Sequence, residues 1–483
     1  MTETIQLFID GERVDAADGE TFATENPANT SETVAEYAYG GEEDAERAVA
    51  AANEAQDGWE STPEPDRGAI LRETAAILED RKDEVTELLT HEEGKTLSEA
   101  APEVQRAIDI FHYYGVKAFD DDGKRKGASG DRTSVYTTRE PLGVAGLVTP
   151  WNYPVAIPAW KIAPALATGN AVVLKPASYA PGVANEIVEA LDEAGLPDGV
   201  VSFVPGSGSE VGEVITTHDG VDAVSFTGSA EVGHHVYDQA TSGKKRAQAE
   251  MGGKNPTLVT DSADVEEAVD VVAAGAFGVT GQACTACSRA IVHTDVYDEF
   301  VEGIVDYAES IEVGPGLEDP DMGPHVSQGE LDSTLEYVDV GVNEGATLET
   351  GGERLDGDGY DDGYFVSPAV FTDVDPDMRL FQEEIFGPVL AVTEVESFEE
   401  GIEVANNSEF GLSASVVTDD LDEAHEFVDR TESGVAKVNE KTTGLELHVP
   451  FGGLKDSSTN TYREQGDEGI EFFTQLKTVY LNT

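Results

Sequence analysis

The chain is 483 residues long, with 39% hydrophobic, 26% charged and 7% aromatic residues and with 50 glycines and 21 prolines dispersed through it. That is the composition of a globular enzyme of about two to four domains, not of a disordered, collagenous or coiled-coil chain. Against 97 acidic residues stand 29 Lys and Arg, a net charge of −68 that repels phosphate backbones and anionic bilayers and disfavours nucleic-acid and membrane-surface roles.

The N-terminal MTETIQLFIDGE has neither the basic nor the apolar stretch of a secretory signal, and no apolar run nears the roughly 18 residues that cross a bilayer. A soluble, cytoplasmic protein is expected. Acidic residues recur throughout, at Glu42 to Glu46, Asp120 to Asp122, Asp261 to Asp270 and Asp373 to Asp377. Such a uniformly acidic, lysine-poor surface holds water and cations in concentrated salt, which points to a salt-adapted cytoplasm.

TSVYTTREP, from Thr133 to Pro141, is rich in β-branched residues and predicts a strand. From Pro141 on, the apolar runs GVAGLVTPW, AVVLKPA, VVSFVPG, VDAVSFTGS and KKRAQAEMG alternate with helical stretches such as PAWKIAPALATGN and AEVGHHVYDQAT. This alternation predicts a parallel, doubly wound sheet. A second α/β region runs from near Pro256 to about Gly453, with VEEAVDVVAAGAFGVTGQ as a helix and SRAIVHTDVY as a strand. Within it the Gly- and Asp-rich stretch from Gly351 to Tyr364 predicts a surface hairpin or loop. The C-terminal EFFTQLKTVYL predicts another strand. Two strands outside both domains need partners for their edges, which a neighbouring subunit often supplies, so a homo-oligomer is expected.

Cys284, in GQACTACSR, follows a predicted helix among small residues that leave its sulfur approachable, a setting for a reactive thiolate. The bland alternative is a small buried hydrophobe. Cys287 completes a CxxC that suits a dithiol pair or half a zinc site, but no second CxxC or His pair lies nearby to complete a metal ligand set. Glu250 ends a predicted strand beside Gly252 and Gly253, at the sheet edge where α/β sites form, or is one more exposed acid in an acidic chain. Asn152 in TPWNYP ends another strand, where its amide suits either an oxyanion or a turn. No GxGxxG occurs, since Gly206 to Gly212 has one residue too many. Gly228 and Gly233 open a predicted helix whose N-terminus suits a pyrophosphate.

In order and spacing, TPWNYP, VVLKPAS, FTGSAEVG, EMGGKNP, GQACTACSR, EEIFGPV, PFGGLKDSS and REQG resemble the motifs of NAD(P)-dependent aldehyde dehydrogenases along nearly the whole chain. The resemblance implies a Rossmann-like cofactor domain over 1–122 and 142–252, an α/β catalytic domain over 253–453, and a small β oligomerisation element from 123–141 and 454–483, in a homodimer or homotetramer. It implies Cys284 as the nucleophile, Asn152 and the Cys284 N–H as oxyanion donors, Glu250 as the base that activates water, and Glu464 as a proton relay. A base at position 250 argues against a CoA-acylating member. For the dinucleotide it implies Lys175, Trp151, Gly208, Phe226, Gly228, Ser229 and Val232, with Glu384 and Phe386 at the nicotinamide ribose. NAD-preferring members usually carry a glutamate three residues after that lysine, where this chain has Ser178. A carboxylate there repels a 2′-phosphate and a serine hydrogen-bonds to it, so NADP is expected to be accepted and preferred, with NAD also possible.

For the substrate, the resemblance puts Arg106, Trp160 and Phe451 on the tunnel wall, where an arginine pairs with a carboxylate. The alternative for Arg106 is a solvated helix residue paired with Glu103 or Asp109. GQACTACSR, TGLELHVPFGG, REQG and EFFTQLKTVY most resemble the 2,5-dioxopentanoate (α-ketoglutarate semialdehyde) dehydrogenases of pentose breakdown. Succinate semialdehyde and broad-range aldehyde dehydrogenases are the alternatives, and a CxxC thiol–disulfide protein is the reading from another class. Cys287 departs from the usual non-cysteine residue at its place, which would let oxidation tie up Cys284.

Overall fold

Each of the five apolar runs between Pro141 and Glu250 forms a strand: Val144–Val148, Ala171–Lys175, Val201–Phe203, Ala223–Thr227 and Arg246–Glu250. The computed structural model describes residues 4–120, 123–357 and 359–482. The expected boundary at 122, part of the acidic run from Asp120, and Asp358 within the Gly351 to Tyr364 stretch lie outside the described residues. The five strands pair in parallel, with Val144–Val148 between Ala171–Lys175 and Ala223–Thr227. The chain therefore winds outward from the middle in both directions, and a crevice opens at the C-terminal ends where the order reverses.

Alternate residues of these strands enter two different cores. Ala145, Leu147, Val172 and Leu174 pack with the helices Leu97–Lys117, Ala156–Ala167 and Gly182–Glu193. Val144, Val148, Ala171 and Val173 pack with Glu42–Glu60 and Ala230–Ser242 on the other face. Helices cover both faces, so Val144–Val148 is apolar throughout and Ala171–Lys175 is apolar up to its last residue, whereas Ser202, Ser225, Gln248 and Glu250 bring buried polar groups into the other three strands. The sheet also gains an antiparallel hairpin, Leu7–Ile9 with Glu12–Val14, at its Val201–Phe203 edge.

The second sheet runs Thr347–Thr350, Ala369–Thr372, Val389–Val395, Cys287–His293, Asn255–Val259, Ser413–Val417, Val435–Val438, all parallel save the first. VEEAVDVVAAGA forms the helix Val265–Ala276, and His293 ends its strand by capping the helix Thr294–Ser310, so DVY is helical. The predicted helix stops short of Thr280 because Val279 and Thr280 take left-handed backbone angles, φ 54° and 56°.

Thr133–Pro141 pairs antiparallel with Thr474–Asn482 over nine residues, and Arg125–Lys126 flanks it on the other side. The strand in EFFTQLKTVYL begins only at Thr474, because Glu471 and Phe472 close the helix Gly466–Phe472. Phe472 and Phe473 both enter the core of the first domain, edge to face at 4.7 Å. Consecutive strand residues face opposite ways, so a strand would not have sent both into the same core. The outer edge of Thr474–Asn482 has no neighbour among the described residues, and Leu476 and Tyr480 there are 61% and 73% exposed. Among the described residues no helix is long and apolar enough to cross a membrane.

Candidate active site

The C-terminal edge of the first sheet carries the expected residues strand by strand. After Arg246–Glu250 come Met251 and Gly252, and after Ala223–Thr227 come Gly228 and Ser229. Trp151 and Asn152 follow Val144–Val148, Ser178 follows Lys175, and Gly208 follows Val201–Phe203. A cavity of about 270 Å³ at the crevice is lined by Trp151, Asn152, Gly228, Ser229, Glu384, Phe386 and Cys284, among others. A larger hollow of about 550 Å³, beside Lys245, Arg246 and Gln475, holds none of the expected residues.

The second sheet delivers the thiol to that cavity. The loop from Gln282 to Ala286 is pinned by Asn255, whose side-chain nitrogen donates to the Cys284 and Ala286 carbonyls at 2.8 Å each. Cys284 is partly open to the cavity, whereas Cys287 is buried in the core with its sulfur 3.2 Å from Thr257 Oγ1. Burial pushes the Cys284 thiol up to about 12, with the carboxylates of Glu384, Glu250 and Glu464 adding to it. The small neighbours at Gly281 and Ala283 give access, but the acids around the sulfur oppose the thiolate expected from the sequence. Asn152, 3% exposed, donates from its side-chain nitrogen to the Gln282 carbonyl at 2.9 Å, which ties the amide to the thiol loop and leaves its second N–H free.

Glu250 lies beside this cavity, 1% exposed. Its two oxygens accept from Ser458 Oγ at 2.9 Å and Gly453 N at 3.0 Å. Burial, with Glu464 nearby, holds its carboxyl well above the usual range. Glu464 accepts from Lys161 Nζ, which also donates to Ser225 Oγ at 2.7 Å, and its second oxygen has no partner. Lys161 was not singled out from the sequence. Its signal is a lone charge in AIPAWKIAPALA, a helix buried at all twelve positions, where an unpaired lysine is not tolerated.

On the same side, the rings of Trp160 and Phe451 stand 6.1 Å apart, and Phe451 exchanges two backbone hydrogen bonds with Glu464. Arg106 donates to Gln465 Oε1 at 3.1 Å and, among the described residues, has no carboxylate within ion-pair distance, although Glu446 and Asp109 act on it from farther away. Glu103 instead pairs with Lys95, and Asp109 accepts from Gln105. Arg106 is half-buried and its pKa is lowered by that burial.

A dinucleotide fits the crevice by the groups left free there. Thr227 Oγ1 is buried without a partner, and the Ser229 hydroxyl caps no N–H of the helix Ala230–Ser242 that it begins. Gly233 lets this helix sit close on the sheet, since a Cβ there would stand 2.5 Å from Met251 Sδ. Among the described residues the Lys175 amine reaches only the carbonyl of Pro176, and burial lowers it to about 8. Trp151 packs edge to face on both Phe386 and Tyr179, joining the cavity to the Ser178 loop. Glu384 accepts from Gly253 N at 2.9 Å and burial raises it to about 7. Ser178 is half-buried at the rim, Val232 is 47% exposed on the helix, and Gly208 is exposed at the far end. Phe226 points into the core beneath Gly228 rather than into the cavity.

A nucleotide-type sheet edge facing a thiol and an amide defines an oxidoreductase of the cysteine-dependent kind. The family model of the aldehyde dehydrogenase family matches residues 14–479, and the chain belongs to that family, whose members are NAD(P)-dependent. It is 62% identical over 480 residues to the alpha-ketoglutarate semialdehyde dehydrogenase of Haloferax volcanii, covering 99% of each chain. It is 44% identical over 464 residues to the 2,5-dioxopentanoate dehydrogenase of Saccharolobus solfataricus, 96% of each. A solved structure of betaine aldehyde dehydrogenase from Staphylococcus aureus in complex with NAD+ matches with a TM-score of 0.96 at 36% identity, over 99% of this chain and 95% of that one.

Proposed function

We propose that this enzyme oxidises 2,5-dioxopentanoate to 2-oxoglutarate, with NADP preferred over NAD, in a salt-rich cytoplasm and as a homodimer or homotetramer. The observation that carries the reading is the single cavity holding Cys284, Asn152 and Glu384 against the free helix start at Ser229. The Cys284 thiolate adds to the aldehyde carbon, and the resulting oxyanion accepts hydrogen bonds from the Asn152 side chain and the Cys284 N–H. Bound NADP supplies the acceptor for the hydride that leaves this carbon, turning the thiohemiacetal into a thioester. Glu250 takes a proton from the water that hydrolyses the thioester, and Glu464, with Lys161, passes that proton on.

With NADP bound, Lys175 and Ser178 would hold the adenosine ribose and its 2′-phosphate, Gly208 and Val232 would flank the adenine, and Phe226 would support Gly228 and Ser229 at the phosphates. Trp151, Glu384 and Phe386, which line the cavity beside Cys284, would hold the nicotinamide end. Arg106 holds the substrate carboxylate, with Trp160 and Phe451 as the tunnel wall. The names of the two relatives support the substrate, and so does a half-buried arginine whose hydrogen bond is to the neutral amide of Gln465. Succinate semialdehyde carries the same carboxylate and is the second reading.

Initial rates of NAD(P)H formation in molar KCl test this, with 2,5-dioxopentanoate, succinate semialdehyde and propanal as substrates, each with either cofactor. The expected result is a clear preference for 2,5-dioxopentanoate with NADP, and in R106M a KM for it raised at least tenfold with little change for propanal. Equal efficiency with propanal in the wild type, or an R106M protein with unchanged KM, would sink the substrate assignment. A much higher efficiency with NAD would sink the cofactor preference.

A further inference from the structure

Asn152 lies on an irregular stretch, residues 149–155, between a strand and a helix. A donor for an oxyanion has to be held within about 0.5 Å of its productive place. The backbone carbonyl of Asn152 accepts a 2.8 Å hydrogen bond from Lys95 Nζ. The same ammonium donates to Glu103 Oε2 at 2.6 Å and lies 4.4 Å from the centre of the Tyr153 ring. Glu103 Oε1 accepts from the N–H groups of Val155 and Ala156, both at 3.1 Å, where the helix Ala156–Ala167 begins. One buried ion pair thus grips the stretch at Asn152 and again at its exit.

A buried ion pair gives little stability compared with apolar side chains of the same size, and what it supplies is a single geometry. Capping the helix start requires Glu103 alone. Lys95 touches neither end of that helix, and its remaining neighbour is Glu93, 3.8 Å away. From the same side of the molecule, Glu99 accepts from Val279 N at 2.6 Å, at the left-handed turn ahead of Cys284, so the start of the helix Leu97–Lys117 steadies both halves of the oxyanion site. We propose that Lys95 and Glu103 are positioning residues for the oxyanion-binding amide, acting on Asn152 through its backbone carbonyl. This rests on the reading of Asn152 as the oxyanion donor.

The test is a double-mutant cycle of K95M and N152A, read by kcat, by KM for NADP and by the rate at which iodoacetamide alkylates Cys284 without cofactor. Alkylation builds no oxyanion, so it isolates the thiol from the amide. N152A alone should lose about 100-fold in kcat; a loss of only a few-fold would remove the reading beneath this one. K95M should lose about 30-fold in kcat, with KM for NADP and the alkylation rate each within about twofold, and should cost less than about threefold in the N152A background. A full 30-fold loss in that background, or alkylation slowed in parallel with turnover, would overturn the proposal while leaving Asn152 in place. If K95M does not fold, E103Q decides by the same readouts. It keeps an oxygen for Val155 and Ala156 but turns an amide N–H toward Lys95, so a loss of kcat alone supports positioning and unchanged kcat refutes it.

Discussion

At the scale of single residues, the site is chemically less primed than its sequence suggests. Small neighbours around Cys284 indicate access, and access is what the cavity gives. The thiol is nevertheless pushed up to about 12 by burial and by acids brought from three distant segments, at 250, 384 and 464. None of those acids is near Cys284 in the chain, so their effect was not readable locally. With the pKa above the assay range, the thiolate fraction grows about tenfold per pH unit. Iodoacetamide should therefore alkylate Cys284 in the cofactor-free enzyme about 100-fold faster at pH 9 than at pH 7. A rate already level below pH 8 would contradict the raised thiol. Gly252 makes a second residue-scale case, since a Cβ there would stand 2.1 Å from the Glu384 carboxylate. Gly252→Ala should raise KM for NADP at least fivefold, measured by initial rates, and an unchanged KM would place Glu384 outside cofactor binding.

At the scale of elements, the sequence was most readable where local pattern and tertiary burial agree. Val144–Val148, and Ala171–Lys175 up to its last residue, are continuous apolar runs because both of their faces are covered. Asn255–Val259, by contrast, holds Asn255 and Pro256 at its start, and its residues face a helix-covered interior without a pattern that sets them apart from the preceding glycines. The N-terminal hairpin at 7–14 is two three-residue strands, too short for periodicity to register. Phe472 and Phe473 belong to the core and only Thr474–Asn482 to the small sheet, a division that the β-branched and aromatic residues on both sides of Thr474 do not mark. That strand leaves one edge open, with Leu476, Tyr480 and Leu481 exposed, as an intersubunit strand does. If the protein is the oligomer proposed above, removing residues 474–483 should convert it to monomer or aggregate, followed by size-exclusion chromatography with light scattering. A truncated protein of unchanged assembly mass would contradict a role for this strand between subunits.

At the scale of the whole molecule, charge dominates. A net charge of −68 repels itself across the surface, and the range of that repulsion shrinks from about 10 Å at 0.1 M salt to about 3 Å at 1 M. The melting temperature should rise by several degrees between 0.1 and 2 M KCl, measured by scanning calorimetry, and a flat response would contradict salt adaptation. Buried acids add a pH dependence of definite sign. Burial raises Glu92 to about 7 and Glu93 to about 8, so the folded state binds their protons more tightly than the unfolded chain does. Their contribution is fully present below the ordinary carboxyl range and is lost as pH rises through about 8. At fixed 2 M KCl the protein should melt higher at pH 6 than at pH 8.5, and the opposite order would mean that these carboxyls are ionised in the fold.

The proposed route takes an aldehyde to an acid by way of a thioester on Cys284 that Glu250 helps to hydrolyse. It is tested most directly by mixing E250Q with 2,5-dioxopentanoate and NADP, quenching in acid and mapping the peptides by mass spectrometry. The expected result is one 2-oxoglutaryl group on the peptide holding Cys284, localised to that sulfur, with one NADPH formed per active site. An adduct on Cys287, or steady turnover by E250Q at the wild-type rate with no adduct, would contradict it.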